Sequence, residues 1–163
     1  MASRTEEALQ ALVAAFAAAA AAAPTVLPPP SRNEMLPTRL DAFNGATCGF
    51  LNVLDGSGGP EGADGGPGET LGADDSVDGY EIIHRAEVEW IVEAVEKVDR
   101  ESAFDAGLVA LSAKLKSDRR LGGAVDDVRF EKIERSGLAI DGLPNLKGAV
   151  ITVALTFLSS EPF

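Results

Sequence analysis

The sequence predicts a single domain of the α+β class. Two segments show the apolar spacing of amphipathic helices, and two others alternate between apolar and polar residues as strands do. The chain has 163 residues, of which 45% are hydrophobic, so it is long enough to bury a core of its own. Its formal net charge is −12, which repels nucleic-acid phosphates and disfavours a broad DNA- or RNA-binding surface.

The first predicted helix spans residues 4–22. Ser3 and Glu6 have the S-x-x-E spacing of a capping box, and an apolar stripe follows at helical spacing. The alanine-rich segment is a poor signal peptide, because Glu6 and Glu7 precede it against only Arg4. It is also too short and too weakly apolar to span a bilayer. The stripe consists of Leu9, Leu12, Val13 and Phe16.

Residues 24–54 are predicted to be irregular, apart from a tight turn at Asn44–Gly45 and a short strand over residues 49–56. Residues 55–79 are predicted to form a long acidic, flexible loop, since they contain nine glycines and seven acidic residues. The spacing of these residues matches no calcium-binding loop. No lysine follows the glycines, which disfavours a phosphate-binding loop.

A long strand is predicted over residues 80–96, where the even positions are apolar and the odd positions are mostly charged. Because a strand of this length exceeds the width of a small domain, we expect it to bend or to extend as one arm of a hairpin. His84 lies on the apolar face, where a hydrogen-bonded core histidine is the more common case than a catalytic one.

A second helix is predicted over residues 102–117, beginning at a capping-box-like pair, Ser102 and Asp105, with Gly107 as a mild defect. Two arginines and Gly122-Gly123 then mark a helix stop, and an extended segment follows. A C-terminal strand is predicted over residues 147–159. The helical stripe consists of Phe104, Leu108, Leu111 and Leu115.

Few residues suggest chemistry. The chain has one cysteine, Cys48, and one histidine, His84, so it can form neither an intrachain disulfide nor a Cys/His zinc site. A nucleophilic Cys48–His84 pair has no supporting local signature. Asp126 and Asp127 alone are weak indications of a metal. No catalytic, cofactor-binding or metal-binding residues are therefore predicted.

The order of five short motifs resembles the tail terminator proteins of long-tailed bacteriophages, in particular the versions found in phages, prophages and gene transfer agents of alphaproteobacteria. The motifs are RNEMLP (32–37), NVLDG (52–56), HRAEVEW (84–90), FDAGLVAL (104–111) and DRRLGGAVDD (118–127), followed by an alternating strand that ends near SEPF. The resemblance covers roughly residues 30–163, although the acidic loop is longer than the family leads one to expect.

The resemblance implies a fold and a function. The fold is a mixed, largely antiparallel sheet packed against two helices. The function is that of a structural virion protein and not of an enzyme: a homo-oligomeric ring, a hexamer, that caps the tail tube and joins it to the neck protein. Genomic DNA would pass through without specific binding, and no cofactor or membrane is implied.

The location implied is the head-proximal end of the virion tail, after synthesis in the host cytoplasm. Two alternatives stay open. One is another neck or tail component, such as a stopper or a tail-tube subunit. The other is a small soluble ligand-binding domain or enzyme that uses His84 with Asp126 or Asp127.

Overall fold

The computed structural model describes residues 2–60, 79–135 and 145–161. The fold is α+β: a six-stranded, mixed and mostly antiparallel sheet packs with two helices, so the predicted fold class is confirmed. The order across the sheet is β1-β3-β4-β6-β5, and β2 also pairs with β3. The elements are α1 (Arg4–Ala22), β1 (Ser31–Arg32), β2 (Asp41–Asn44), β3 (Thr47–Pro60), β4 (Tyr80–Glu93), α2 (Lys97–Ser117), β5 (Asp127–Glu134) and β6 (Leu146–Ser159).

Helix α1 has the bounds that the sequence predicts. The Ser3 hydroxyl accepts a hydrogen bond from the Glu6 backbone N–H at 3.1 Å and so caps the first turn. The Glu6 carboxylate binds Gln10 and Arg32 instead of completing a reciprocal capping box. The buried stripe of the helix faces the sheet and consists of Ala8, Leu9, Leu12, Phe16 and Ala20.

Helix α2 begins earlier than predicted. It starts at Lys97 after the N-cap residue Glu96, so Ser102 and Asp105 lie inside the helix and do not cap it. The predicted strand 80–96 correspondingly ends at Glu93. The first turn of α2 is exposed, so the sequence there carries no apolar spacing that would mark the true start of the helix.

Strands β3 and β4 form one long antiparallel hairpin. The predicted loop over residues 55–79 is wrong at its start, because residues 55–60 belong to β3, and residues 57–60 pair with β4, with Gly58 opposite His84. Strand pairing uses backbone groups, so a glycine-rich segment can join a sheet when a partner strand is present. The rest of the predicted loop, residues 61–78, lies outside the described residues. The predicted strand 49–56 is therefore only part of β3.

A β-bulge bends the hairpin between Leu54 and Ser57, where β3 contains one extra residue relative to β4. Gly56 occupies the bulge with φ of +68°, and a Cβ there would lie 1.9 Å from the Arg85 carbonyl oxygen. Of the two alternatives predicted for the long strand, the structure shows the hairpin arm, since β4 pairs with β3 along its length. Glycine is required at this position by both the backbone conformation and the close approach.

Strands β1 and β2 lie along the outer edge of β3. β1 is parallel to β3 at Asn52 and Val53, and β2 is antiparallel to it through a turn at Asn44–Gly45, where Gly45 has φ of +57°. The predicted turn is confirmed. The prediction that residues 24–54 are otherwise irregular is wrong where β1 and β2 form, because strands this short carry no readable alternation.

The two helices cover one face of the sheet, and the even-numbered residues of β4 lie on that helix-covered face. Trp90 is fully buried, and its indole N–H donates to the Phe104 carbonyl of α2 at 3.1 Å. Gly107 packs against the same ring, since a Cβ at this position would lie 2.3 Å from it. Gly107 is therefore a packing requirement and not a defect.

Helix α2 ends where the sequence predicts. A single 3-10 turn follows at Leu121–Gly123, with Gly122 and Gly123 at positive φ, and β5 then begins at Asp127. The predicted C-terminal strand is confirmed as β6, which pairs with β4 on one side and with β5 on the other. Within the described residues, no helix is long and apolar enough to cross a membrane.

Candidate subunit interface

The structure keeps Cys48 and His84 apart, in agreement with the absence of a nucleophilic signature in the sequence. Cys48 pairs with Glu93 at one end of the hairpin, whereas His84 pairs with Gly58 near the other end. Nine residues of β4 separate the two positions, a distance of about 30 Å at the usual rise per residue. Cys48 and His84 therefore do not form a joint site within one chain.

His84 has a structural partner. It is buried, and its Nε2 donates a hydrogen bond to the Asp55 carbonyl oxygen. This carbonyl belongs to the bulge, where the extra residue interrupts the regular ladder of hydrogen bonds. The expectation of a hydrogen-bonded core histidine is confirmed.

Asp126 and Asp127 do not converge with His84. The Asp126 backbone N–H donates to the Thr156 carbonyl at 2.8 Å, and Arg119 holds the Asp127 carboxylate through two hydrogen bonds of 2.9 and 3.0 Å. Asp127 lies opposite Thr156, which lies opposite Ile83, so it belongs to a row of the sheet that excludes His84. Among the described residues, no three His, Cys, Asp or Glu side chains are placed to hold a metal ion.

An ion-pair cluster joins α1 to the hairpin bulge. Arg32 donates to both carboxylate oxygens of Glu6 at 2.7 Å and to Asp55 at 2.7 Å. The hydrogen bonds from Arg32 and Gln10 lower the pKa of Glu6 to about 2, and those from Arg32 lower the pKa of Asp55. Sequence reasoning missed this cluster, because its members lie 23 and 26 positions apart.

A short exposed segment next to this cluster is held in place at its base. Asn52 is fully buried, and its side-chain amide accepts from the Glu34 N–H and donates to the Glu34 carbonyl at 3.2 and 2.9 Å. Asn33 bonds to Val53 and Asp55 of β3. We call Met35 and Leu36, which follow directly, the apolar tip; Met35 is 88% exposed and Leu36 is also exposed.

An apolar groove lies at the opposite edge of the sheet, between α2 and β5. It has a volume of about 490 Å³, and Ile151 of β6 lies in it. Two of its apolar side chains, Val109 and Ile133, are exposed. We call it the α2–β5 groove. Other residues that line it include Leu108, Ala113, Lys116 and Phe130.

The sheet has two open edges. Among the described residues, no strand pairs with the outer side of β5, and none pairs with the outer side of residues 57–60 in β3. Both edges lie beside the same stretch of β4: residues 57–60 pair with 82–85, and β5 reaches the level of Ile83 through β6. Open edges are natural sites for association with another chain.

No protein-family model matches the chain, and no curated protein matches it at a significant level.

Proposed function

We propose that this chain is a phage tail terminator: a structural subunit that forms a ring, caps the tail tube and joins it to the neck. The observation that carries the proposal is the pair of unlike edges on opposite sides of one sheet, neither of which has a strand partner among the described residues. The order of motifs over residues 30–163, which resembles that family, also supports the proposal and implies six copies in the ring.

Unlike edges favour head-to-tail association. An interface between two different surfaces of the same chain repeats from subunit to subunit, and it closes into a ring when the rotation between neighbours divides a full turn. One edge carries the short strands β1 and β2 with the apolar tip, and the other carries β5 with the α2–β5 groove. Such a chain presents a different surface to each of its two neighbours.

The charge of the chain suits a passage for DNA. Each subunit carries a formal net charge of −12, so the net charge of a ring of these subunits repels a duplex. Repulsion lets DNA slide through a channel, whereas a basic lining would bind phosphates and hold it. The DNA therefore passes without specific binding in this proposal.

The same charge makes assembly depend on salt. Subunits of like charge repel one another, and salt screens this repulsion over distances beyond about 8–10 Å at near-physiological ionic strength. Apolar contacts, which salt weakens little, supply the attraction. Purified protein is expected to be mostly monomeric at low salt and high dilution, and to shift towards rings as salt or concentration rises or when a tail-tube end is supplied.

Two experiments test the proposal. Negative-stain electron microscopy of the protein at high concentration, alone and with purified tail tubes, should show closed rings and capped tube ends. Phage lacking this protein should produce overlong or unattached tails beside filled heads. Normal tails in its absence, or a monomer under every condition including added tubes, would contradict the proposal.

A further inference from the structure

We infer that the apolar tip of one subunit docks in the α2–β5 groove of the next copy of the same chain. The inference rests on the proposed ring and specifies the contact that builds it. It commits to a second copy as the occupant of the groove, because the chain itself carries a matching apolar projection at its opposite edge.

The tip is exposed but anchored. The Asn52 side chain binds both backbone groups of Glu34, and Asn33 is bonded to Val53 and Asp55 of β3. Met35 and Leu36 therefore project from a fixed base, and docking them costs less conformational entropy than ordering a free loop would. Buried anchors of this kind, used to support two exposed apolar side chains, are typical of a surface that meets a partner.

The groove and the tip are both apolar, and they lie at similar positions along the strands. Its walls are apolar, with Leu108 and Val109 on α2 facing Phe130 and Ile133 on β5. Ile133 and Phe130 lie at the level of Val88 and Ala86 through β6, and Asn52 beneath the tip lies opposite Glu89. The tip and the groove thus lie at nearly the same height along the strands, so that a neighbour needs little axial shift to dock.

Charge complementarity fixes the direction. Lys116 lines the groove, whereas Glu34 directly precedes the tip. Complementary charges of this kind set orientation and encounter rate more than affinity. The attraction of one such charge pair per interface is weak compared with the repulsion between subunits that each carry a net charge of −12. Added salt therefore still favours assembly.

The positions of tip and groove exclude a symmetrical dimer. Asn52 and Glu34 lie on the sheet face that carries Glu89, opposite the helix-covered face on which the groove opens. The two surfaces lie on opposite edges as well as on opposite faces. One twofold axis cannot bring both into a single interface, so the contact is head-to-tail, with neighbouring sheets overlapping at their edges.

Two surface substitutions test the contact without disturbing the core. Met35→Glu charges the tip, and Val109→Glu charges the groove at a residue that is 68% exposed. Each variant alone is expected to stay monomeric in sedimentation velocity at concentrations where the wild type assembles. Val98→Glu is the matched control, since Val98 lies on the same helix and is 74% exposed but does not line the groove, and it should assemble normally.

Mixing the two variants gives the decisive measurement. Met35→Glu retains an intact groove and Val109→Glu an intact tip, so an equimolar mixture should form a 1:1 heterodimer that grows no further. Glu34→Lys should weaken assembly at least several-fold, and adding Lys116→Glu to it should restore part of the loss.

The outcomes separate this inference from the proposed function. Rings that form normally in both single variants would overturn the tip-in-groove contact and leave the terminator proposal standing. A mixture that stays monomeric would also contradict the contact. A wild-type chain that never assembles, even on tail-tube ends, would overturn both proposals together.

Discussion

The two ends of the β3–β4 hairpin are held by different forces. At the end near Glu93, Trp90 is buried against α2. The centroid of its ring lies 6.0 Å from that of the Phe43 ring in an edge-to-face contact. At the bulge end, Ile82 and Ala86 are buried as well, and polar contacts are added: His84 binds the Asp55 carbonyl, and Arg32 binds Asp55 and Glu6. The polar contacts are directional, and the ion pairs of Arg32 with Glu6 and Asp55 depend on pH because they lower the pKa of both carboxyl groups.

This difference has a consequence for assembly. The packed end, at Trp90, lies against α2, whereas the bulge end is tied to α1 through Glu6 and leads to the anchored tip and the edge of residues 57–60. The polar contacts therefore stabilise the part of the sheet that the proposed interface uses. Substitutions at the packed end should reduce stability, and substitutions at the bulge end should disturb assembly at conditions where the domain remains folded.

The largest effect is expected for Trp90→Ala. Removing this buried ring leaves a cavity against α2, so the free energy of unfolding should fall by about 3–5 kcal/mol in urea denaturation. Glu87→Ala is the control, since Glu87 is exposed on the other face of the same strand. Equal and small losses for both variants would show that the alternation of β4 does not describe its packing.

Gly56→Ala comes next. The substitution places a Cβ 1.9 Å from the Arg85 carbonyl oxygen at a positive φ, and we expect a loss of about 2–4 kcal/mol from the combined clash and backbone strain. Gly45→Ala separates the two causes, because Gly45 also has a positive φ but no atom within 4 Å of the added Cβ. If Gly45→Ala reduces stability as much as Gly56→Ala does, backbone strain alone, and not the clash, causes the effect.

Gly107→Ala should cost about 1–3 kcal/mol, because the added methyl group overlaps the Trp90 ring. In a Trp90→Leu background the ring is absent, and the same substitution should instead stabilise the protein by about 0.5–1 kcal/mol through its helix propensity. The double-mutant cycle, measured by thermal or urea unfolding, checks this sign change. Additive effects would mean that the two residues are not in contact.

The smallest effect concerns acid. Arg32 lowers the pKa of Glu6 from 4.5 to about 2 and also lowers that of Asp55. A carboxyl group whose pKa is lower in the folded protein than in the unfolded chain stabilises the fold at pH values above its unfolded pKa. This stabilisation is lost as the pH falls through the folded pKa. Wild-type stability should therefore decline between about pH 4.5 and pH 2.

Arg32→Met removes the partner of both carboxylates. The variant should be less stable than the wild type at neutral pH, and the difference between the two should shrink across the same acid range. Arg39→Met is the control, since Arg39 is an exposed arginine that does not belong to the cluster of Glu6, Arg32 and Asp55. A difference that stays constant down to pH 2 would show that Arg32 acts by packing and not by charge.

The sequence by itself determined the elements whose signal is local. The 3.6-residue period of α1, the alternation of β4 and β6 and the glycines after α2 depend on near neighbours in the chain, and the structure confirms each of them. The fold class was also predictable, because two helices and long alternating strands must share one core.

Only the tertiary structure decided the rest, and the reason is the same in each case. Residues 55–60 become a strand because β4 supplies backbone partners, and Gly107 is needed because Trp90 lies against it. The Arg32 cluster and the clamp of Asn52 on Glu34 join residues far apart in the chain. The apolar tip and the α2–β5 groove likewise acquire their relation only when the order of strands places them on opposite edges of one sheet.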